Sequence, residues 1–254
     1  MKKQILITVK AYPNPSTKYS ETVCCAGIDL SNNQWIRLYP IPYRDLDNGM
    51  KFRKYSIIEV DCYKANDDKR PESYRVNSDS IKIIKWLDTN KKWQIRKSAI
   101  LKLPTKSMCQ VNNDARDKDL SLGLIKPEKI SFEWKKQSLS DTSAREACYA
   151  QLSFFNKSKD AIEEIPYNFY YIFHCAGENN CPGHRLSIID WEIGQAYRSW
   201  RSRYNNDEKI CLEKIKQRWD EIADANNKDV YFFVGNMKRF RDKFMILGVF
   251  FPPY

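Results

Sequence analysis

Five short strand-like runs, either alternating apolar and polar or continuously apolar, occupy the first ninety positions, and they restrict the fold more than any other feature of the chain. They cover residues 4–10, 22–28, 34–39, 56–63 and 80–86. Alternation sends successive side chains to opposite faces, which is the period of a strand with one buried side. Turn-forming residues separate the runs: Pro13-Asn14-Pro15, the stretch from Asp29 to Asn33, then Pro40 and Pro42. Strands this short, each followed by a turn signal, predict a small barrel or a strongly bent sheet.

The pattern then changes. A short helix is expected over 93–103, a polar loop over 105–119, and a strand pair over 122–127 and 129–134. Residues 135–143 read as a polar linker. In the last third, 168–173 reads as a buried strand. Ile193, Tyr197, Trp200 and Tyr204 mark one helix face, with Asp190 as its N-cap, and Leu212, Ile215, Trp219 and Ile222 mark a second. Strands are expected over 230–234 and 244–251, with Gly235-Asn236 as a turn pair. The expected architecture is α+β. A barrel domain spans 1–134, a linker or helical connection 135–165, and an α+β domain with a Cys/His loop 166–254.

Composition removes several classes. Thirty-four aromatic residues are too many for a disordered chain, and eight glycines are few for folds built on Gly-rich loops. No run approaches 18 apolar residues, and the N-terminus lacks an apolar leader, so a cytoplasmic protein without a membrane partner is expected. Eight cysteines in a chain of this length, without an export signal, point to reduced thiols or a metal site rather than to disulfides.

The formal net charge is +11, and residues 1–110 contribute +10 of it. A basic half attracts polyanions by releasing their counterions, which makes nucleic acid the first partner to expect. Within it, Trp35-Ile36-Arg37-Leu38-Tyr39-Pro40-Ile41-Pro42-Tyr43-Arg44 and Lys51-Phe52-Arg53-Lys54-Tyr55 interleave cations with aromatics. Rings can stack on bases while guanidinium groups grip phosphates. The candidate contacts are Arg37, Tyr39, Tyr43, Arg44, Arg53, Lys54 and Arg70. The same pattern also suits a basic strand face over an apolar core, and Asp68 to Arg75 suits an ion-paired surface loop.

The most specific local signal is His174-Cys175-Ala176-Gly177-Glu178-Asn179-Asn180-Cys181-Pro182-Gly183-His184, which contains both histidines of the chain. Zinc takes four thiolate or imidazole ligands in a tetrahedron, and closely spaced Cys and His supply them. Cys175, Cys181 and His184 are three expected ligands of a structural zinc ion. His174 or a distant cysteine is the fourth. Asp190 and Glu192 are weak catalytic candidates for a metal-dependent nuclease, although an N-cap and a first-turn acid account for them more simply. Cys24-Cys25 has no neighbouring histidine to activate a thiol.

The phrases Val23-Cys24-Cys25-Ala26-Gly27-Ile28, 35–44, Arg70-Pro71-Glu72-Ser73, 121–127 and Cys181-Pro182-Gly183-His184 leading to Asp190-Trp191-Glu192 resemble a family of uncharacterised bacterial proteins. The resemblance covers most of the chain and implies no activity. The first half also loosely resembles PUA-type barrels, which read RNA or modified bases. The expected function is binding of RNA or of structured or modified DNA, in bacterial antiviral defence or RNA handling. A metal-dependent nuclease or nucleic-acid-modifying enzyme, and a non-catalytic subunit with protein partners, are the alternatives.

Overall fold

The computed structural model describes residues 1–11, 14–16, 20–137, 165–238 and 240–254. The barrel is built from β1 (Lys2–Lys10), β2 (Asn14–Ser16), β3 (Ser20–Asp29), β4 (Gln34–Ile41), β5 (Ser56–Lys64), β6 (Ser73–Val76) and β7 (Lys82–Trp86). Five of these strands close on themselves in the order β1-β3-β4-β6-β5 and back to β1. The β4–β6 pairing is parallel and the others are antiparallel. The strand β2 adds to β3, and β7 adds to β5. Closure leaves no free edge within the five, and their alternate inward residues fill the interior: Ile5, Ile7, Cys25, Ile36, Leu38, Ile58 and Val60 are all buried.

The chain continues through α1 (Asn90–Ile100), β8 (Thr105–Lys106), α2 (Met108–Asp117), β9 (Leu122–Ile125), β10 (Pro127–Lys136), β11 (Tyr167–Cys175), β12 (His184–Ile188), α3 (Trp191–Arg203), α4 (Glu208–Ile222), β13 (Tyr231–Asn236) and β14 (Phe244–Phe250). The strands form a second, seven-stranded sheet in the order β10-β11-β12-β14-β13-β9-β8. Helices α3 and α4 cover one face of it, burying Tyr197, Ile215 and Trp219 with Phe132, Tyr171 and Phe232. Another apolar cluster joins the two halves: Leu6, Ile28, Tyr55 and Ile57 of the barrel pack with Leu124, Phe233, Leu247 and Phe250. Full burial of each such side chain contributes about 1.5–3 kcal/mol. No helix among the described residues is long and apolar enough to cross a membrane.

The α+β architecture with a barrel in front is the expected one. Four details differ. Residues 105–119, read as a loop, hold β8 and α2. Met108, Val111 and Ala115 give that helix a narrow buried face, and Ser107 and Gln110 close it with a reciprocal capping box. Gly235-Asn236 is not a turn but lies inside β13. A Cβ at Gly235 would meet Leu247 at 2.7 Å and Leu122 at 3.0 Å, so the glycine permits close packing. The short strand β6 has no clear alternation in the sequence. The sheets divide after residue 86 rather than at 134, because β8, β9 and β10 all pair into the second sheet. Most of the expected 135–165 connection lies outside the described residues.

Candidate metal centre and nucleic-acid interface

Three elements bring four ligand groups together. Cys175 ends β11, His184 opens β12, and Cys181 sits in the loop between them. Cys109 arrives from the second position of α2. The ligand atoms of Cys109, Cys175, Cys181 and His184 all lie within 4.8 Å of one another. His184 Nε2 is 3.5 Å from Cys109 Sγ and 3.4 Å from Cys175 Sγ. A zinc tetrahedron with ordinary Zn–S and Zn–N bonds has S···N edges of about 3.6 Å, so these spacings fit that ion.

Backbone donors support the sulfurs. Met108 N donates to Cys175 Sγ (3.2 Å), and Cys175 N donates to Cys181 Sγ (3.3 Å). The first of these satisfies an otherwise unpaired amide in the opening turn of α2. Burial and the neighbouring thiols push Cys109 up to about 12, and burial also raises Cys175. Partial burial pushes Cys181 the same way, but hydrogen bonds from the Cys175 and Gly183 amides outweigh that and lower it. Three sulfurs this close cannot all be thiolates without a cation beside them, and a divalent ion that replaced their protons would relieve that repulsion.

His174 is not part of the cluster, contrary to one sequence expectation. Adjacent strand residues point to opposite faces, so His174 and Cys175 cannot reach one ion from β11. The His174 ring packs instead against Gly183, where a Cβ would come within 3.2 Å of Nε2. The fourth member of the cluster is the distant cysteine, Cys109. Its signal in the sequence was the capping pattern Ser107-x-x-Gln110 around it, which marks a helix start.

Most of the expected nucleic-acid contacts are inside the protein. Arg37 is 4% exposed, and its guanidinium donates to Cys24 Sγ (3.2 Å), Ser121 O (3.1 Å) and Ser121 Oγ (3.2 Å). Glu72 accepts from Ser121 N at 2.8 Å. Buried Lys54 pairs with Asp190 (2.8 Å) and Glu192 (3.2 Å). Tyr43 is buried and donates its hydroxyl to Phe52 O. Buried Arg70 holds Asp68 and donates to Asn236 O (2.9 Å). These residues form a polar seam between the barrel and the second sheet, so Arg37, Tyr43, Lys54 and Arg70 do not face a phosphate backbone. Tyr39 and Arg44 are half-buried, and Arg53 is exposed. Asp190 caps α3 as expected, with Glu192 N donating to Oδ1 (3.3 Å). Lys54 Nζ bridges Asp190 and Glu192, so the buried Asp190 carboxylate already has a cation beside it, while the Glu192 side chain is exposed.

Within the seam, Asp68 accepts from Arg70 and Ser73, and despite burial its carboxyl is held at about 2. A carboxyl lowered by folding stabilises the protein above its unfolded pKa near 4, and that contribution vanishes as pH falls toward 2. Asp68→Asn should therefore cost on the order of 2 kcal/mol at pH 7 and close to nothing at pH 2. Urea titrations of both proteins across that range check the sign.

The open basic surface lies elsewhere. Residues 80–102 contain seven Lys and Arg against one Asp. Lys82, Lys85, Lys91, Lys92 and Lys102 are exposed, and among the described residues none of them makes an ion pair. Aromatics are set among them. Trp86 is 44% exposed, and its Nε1 donates to Lys54 O (3.1 Å). Arg53 and Arg96 lie 5.6 and 5.1 Å from its ring centroid. Lys91, Lys92 and Trp93 all have left-handed backbone, at φ 48°, 54° and 62°. Each such residue costs about 1–2 kcal/mol. Packing of Trp93 against Phe250 and Phe251, with centroids 5.8 and 5.0 Å away, holds the turn. Arg37 and Lys82 look equally basic in sequence, but the first is buried against Ser121 and the second is exposed.

Residues 104–254 match a family described as a domain of unknown function (DUF8757), and residues 1–102 match a second one (DUF8758). No curated protein matches the chain. The two matches meet where the barrel gives way to the second sheet.

Proposed function

We propose that this chain, which belongs to the DUF8757 family, is a nucleic-acid-binding protein whose second half is organised by a structural zinc ion. The observation that carries the binding reading is the stripe over residues 80–102: exposed lysines with no ion-pair partner among the described residues, beside an exposed tryptophan, on the flank of a barrel. Unneutralised lysines gain most from a polyanion, through counterion release. The barrel adds support. Its closure order, with the third and fifth strands of the closed set parallel, suits a five-stranded Greek-key barrel of the OB kind better than the PUA type suggested by sequence. Barrels of both kinds handle nucleic acid. In OB barrels the outer face of the second and third strands binds the oligomer. In this chain Trp35 and Arg37 on that face pack against Phe233 and Ser121, which leaves β7 and α1 as the available surface.

The zinc reading rests on the four convergent ligands Cys109, Cys175, Cys181 and His184. Four protein ligands close the coordination shell, which is the arrangement of a structural rather than a catalytic ion. The ion would tie α2 to the β11–β12 hairpin. A nuclease reading built on Asp190 and Glu192 has no comparable support, because Lys54 bridges them.

The test is retardation of labelled DNA and RNA by the purified protein, with and without magnesium. Retardation that weakens with salt supports the binder, cleavage supports an enzyme, and neither supports a subunit role. For the Lys82→Ala, Lys85→Ala double variant, the slope of log affinity against log salt should fall by roughly 0.7 to 0.9 per lost phosphate contact. An unchanged slope in a folded double variant would remove the stripe from the interface.

A further inference from the structure

We infer that β7 recognises single-stranded rather than duplex nucleic acid, with Lys82 and Lys85 on the sugar-phosphate side and Trp86 under a base. The inference rests on the nucleic-acid reading above and specifies its ligand.

It starts from the register of β7 on β5. Trp86 is opposite Ser56, Lys85 opposite Ile57, Ile83 opposite Ile58 and Lys82 opposite Glu59, with a slip that leaves Ile84 unpaired. Residues directly opposite in an antiparallel pair share a face. A regular strand would put Lys82 and Lys85 on opposite faces, since they are three residues apart. The bulge at Ile84 cancels that offset. Lys82 and Lys85 therefore share the face of Glu59 and Ile57, while Ile83 and Trp86 share the other. Glu59, the acid on the lysine face, is already engaged by Lys2 at 3.4 Å.

Among the described residues β7 pairs with β5 and with no other strand, so its other edge makes no strand pairing there. All five of its residues are exposed, including Ile83 (38%), Ile84 (49%) and Trp86 (44%). That edge thus separates a cationic face from an apolar, aromatic one. A single strand has the matching division, with phosphates along one side and unstacked bases along the other. A duplex does not, because its base faces are stacked inside and only groove edges and phosphates are presented. Against a duplex, Ile83, Ile84 and Trp86 would meet phosphates and gain nothing.

Trp86 is also pre-set for stacking. Its Nε1 bond to Lys54 O fixes the ring, so little freedom is lost when a base lands on it, and Arg53, exposed beside the ring, can extend the stack. The three left-handed residues 91–93 place Lys91 and Lys92 in one exposed turn close by in sequence. Backbone strain of this kind persists where the surrounding packing holds it, and such sites are often binding sites.

The experiment is fluorescence anisotropy with a labelled mixed-sequence 20-nucleotide single strand, as DNA and as RNA, and with the blunt duplex of the same sequence. The parent protein should prefer at least one single strand over the duplex. Trp86→Leu keeps the apolar packing and removes the ring, and it should weaken single-strand binding about 5- to 150-fold while leaving duplex binding within twofold. Trp86→Phe should recover most of the loss. Thermal melts confirm that each variant is folded. A duplex bound as tightly as both single strands would overturn the inference. So would a folded Trp86→Leu variant within twofold of the parent while Lys82→Ala, Lys85→Ala still weakens binding, and in that case nucleic-acid binding itself stands. If the parent binds neither form at 50 mM salt, both readings fall.

Discussion

Replacing Cys109 by serine will remove the metal and lower the melting temperature. Chain purified without a histidine tag should carry close to one zinc ion, and Cys109→Ser and Cys181→Ser should each carry little. A structural zinc ion contributes folding free energy outright, because the unfolded chain has no assembled site. Cys109 anchors α2, whose own apolar face is only Met108, Val111 and Ala115, so loss of the ion should free this helix from the β11–β12 hairpin. A loss of several kcal/mol in a domain of this size corresponds to a drop on the order of 10 °C. Chelation of the parent protein should give a similar drop. The discriminating control is His174→Gln. This histidine stands nearest to Cys175 in sequence but outside the four-ligand group, so the variant should keep its zinc. Fewer than about 0.2 zinc ions per chain in the parent at neutral pH, or full zinc in Cys109→Ser, would refute the site.

The second large effect is expected at the seam. Lys54 comes from the barrel and Asp190 from the second half, and both are buried at 2.8 Å. Lys54 is held protonated despite its burial by the Asp190 and Glu192 carboxylates, while burial pushes Asp190 upward. Lys54→Met leaves the Asp190 carboxylate buried without its partner, which typically costs 3–5 kcal/mol. Asp190→Asn keeps an N-cap side chain for α3 but leaves the ammonium only the exposed Glu192 carboxylate. The double variant removes both charges and should be more stable than Lys54→Met alone. Urea unfolding of the three variants gives the coupling energy directly. Single variants within 1 kcal/mol of the parent would show that the pair does not hold the halves together.

How much of this was legible beforehand depended on the range of the interaction. The strands of the barrel could be read because alternation and turn residues act between neighbours. The caps at Asp190 and Ser107 are equally local, but only three buried apolar residues follow the second in α2, too few to mark a helix by periodicity. Cys175, Cys181 and His184 could be grouped because one hairpin holds them. Cys109 could not be assigned, since 66 positions separate it from Cys175 and only the docking of α2 brings them together. The basic residues show the limit most plainly. Arg37, Lys54 and Arg70 carry the same charge in sequence as Lys82 and Lys85. The first three lie in the seam against Ser121, Asp190 and Asn236, contributed by the distant second half, whereas the five residues of β7 are exposed. The sequence by itself determined the strand periods, the helix cap at Asp190, the total charge and three of the four members of the Cys/His cluster, all of which are set by residues close along the chain. Tertiary structure alone decided which cations are buried, which cysteine completes the cluster and which strand stays exposed. Those outcomes depend on the packing of one sheet against another, and local sequence does not encode what lies across an interface.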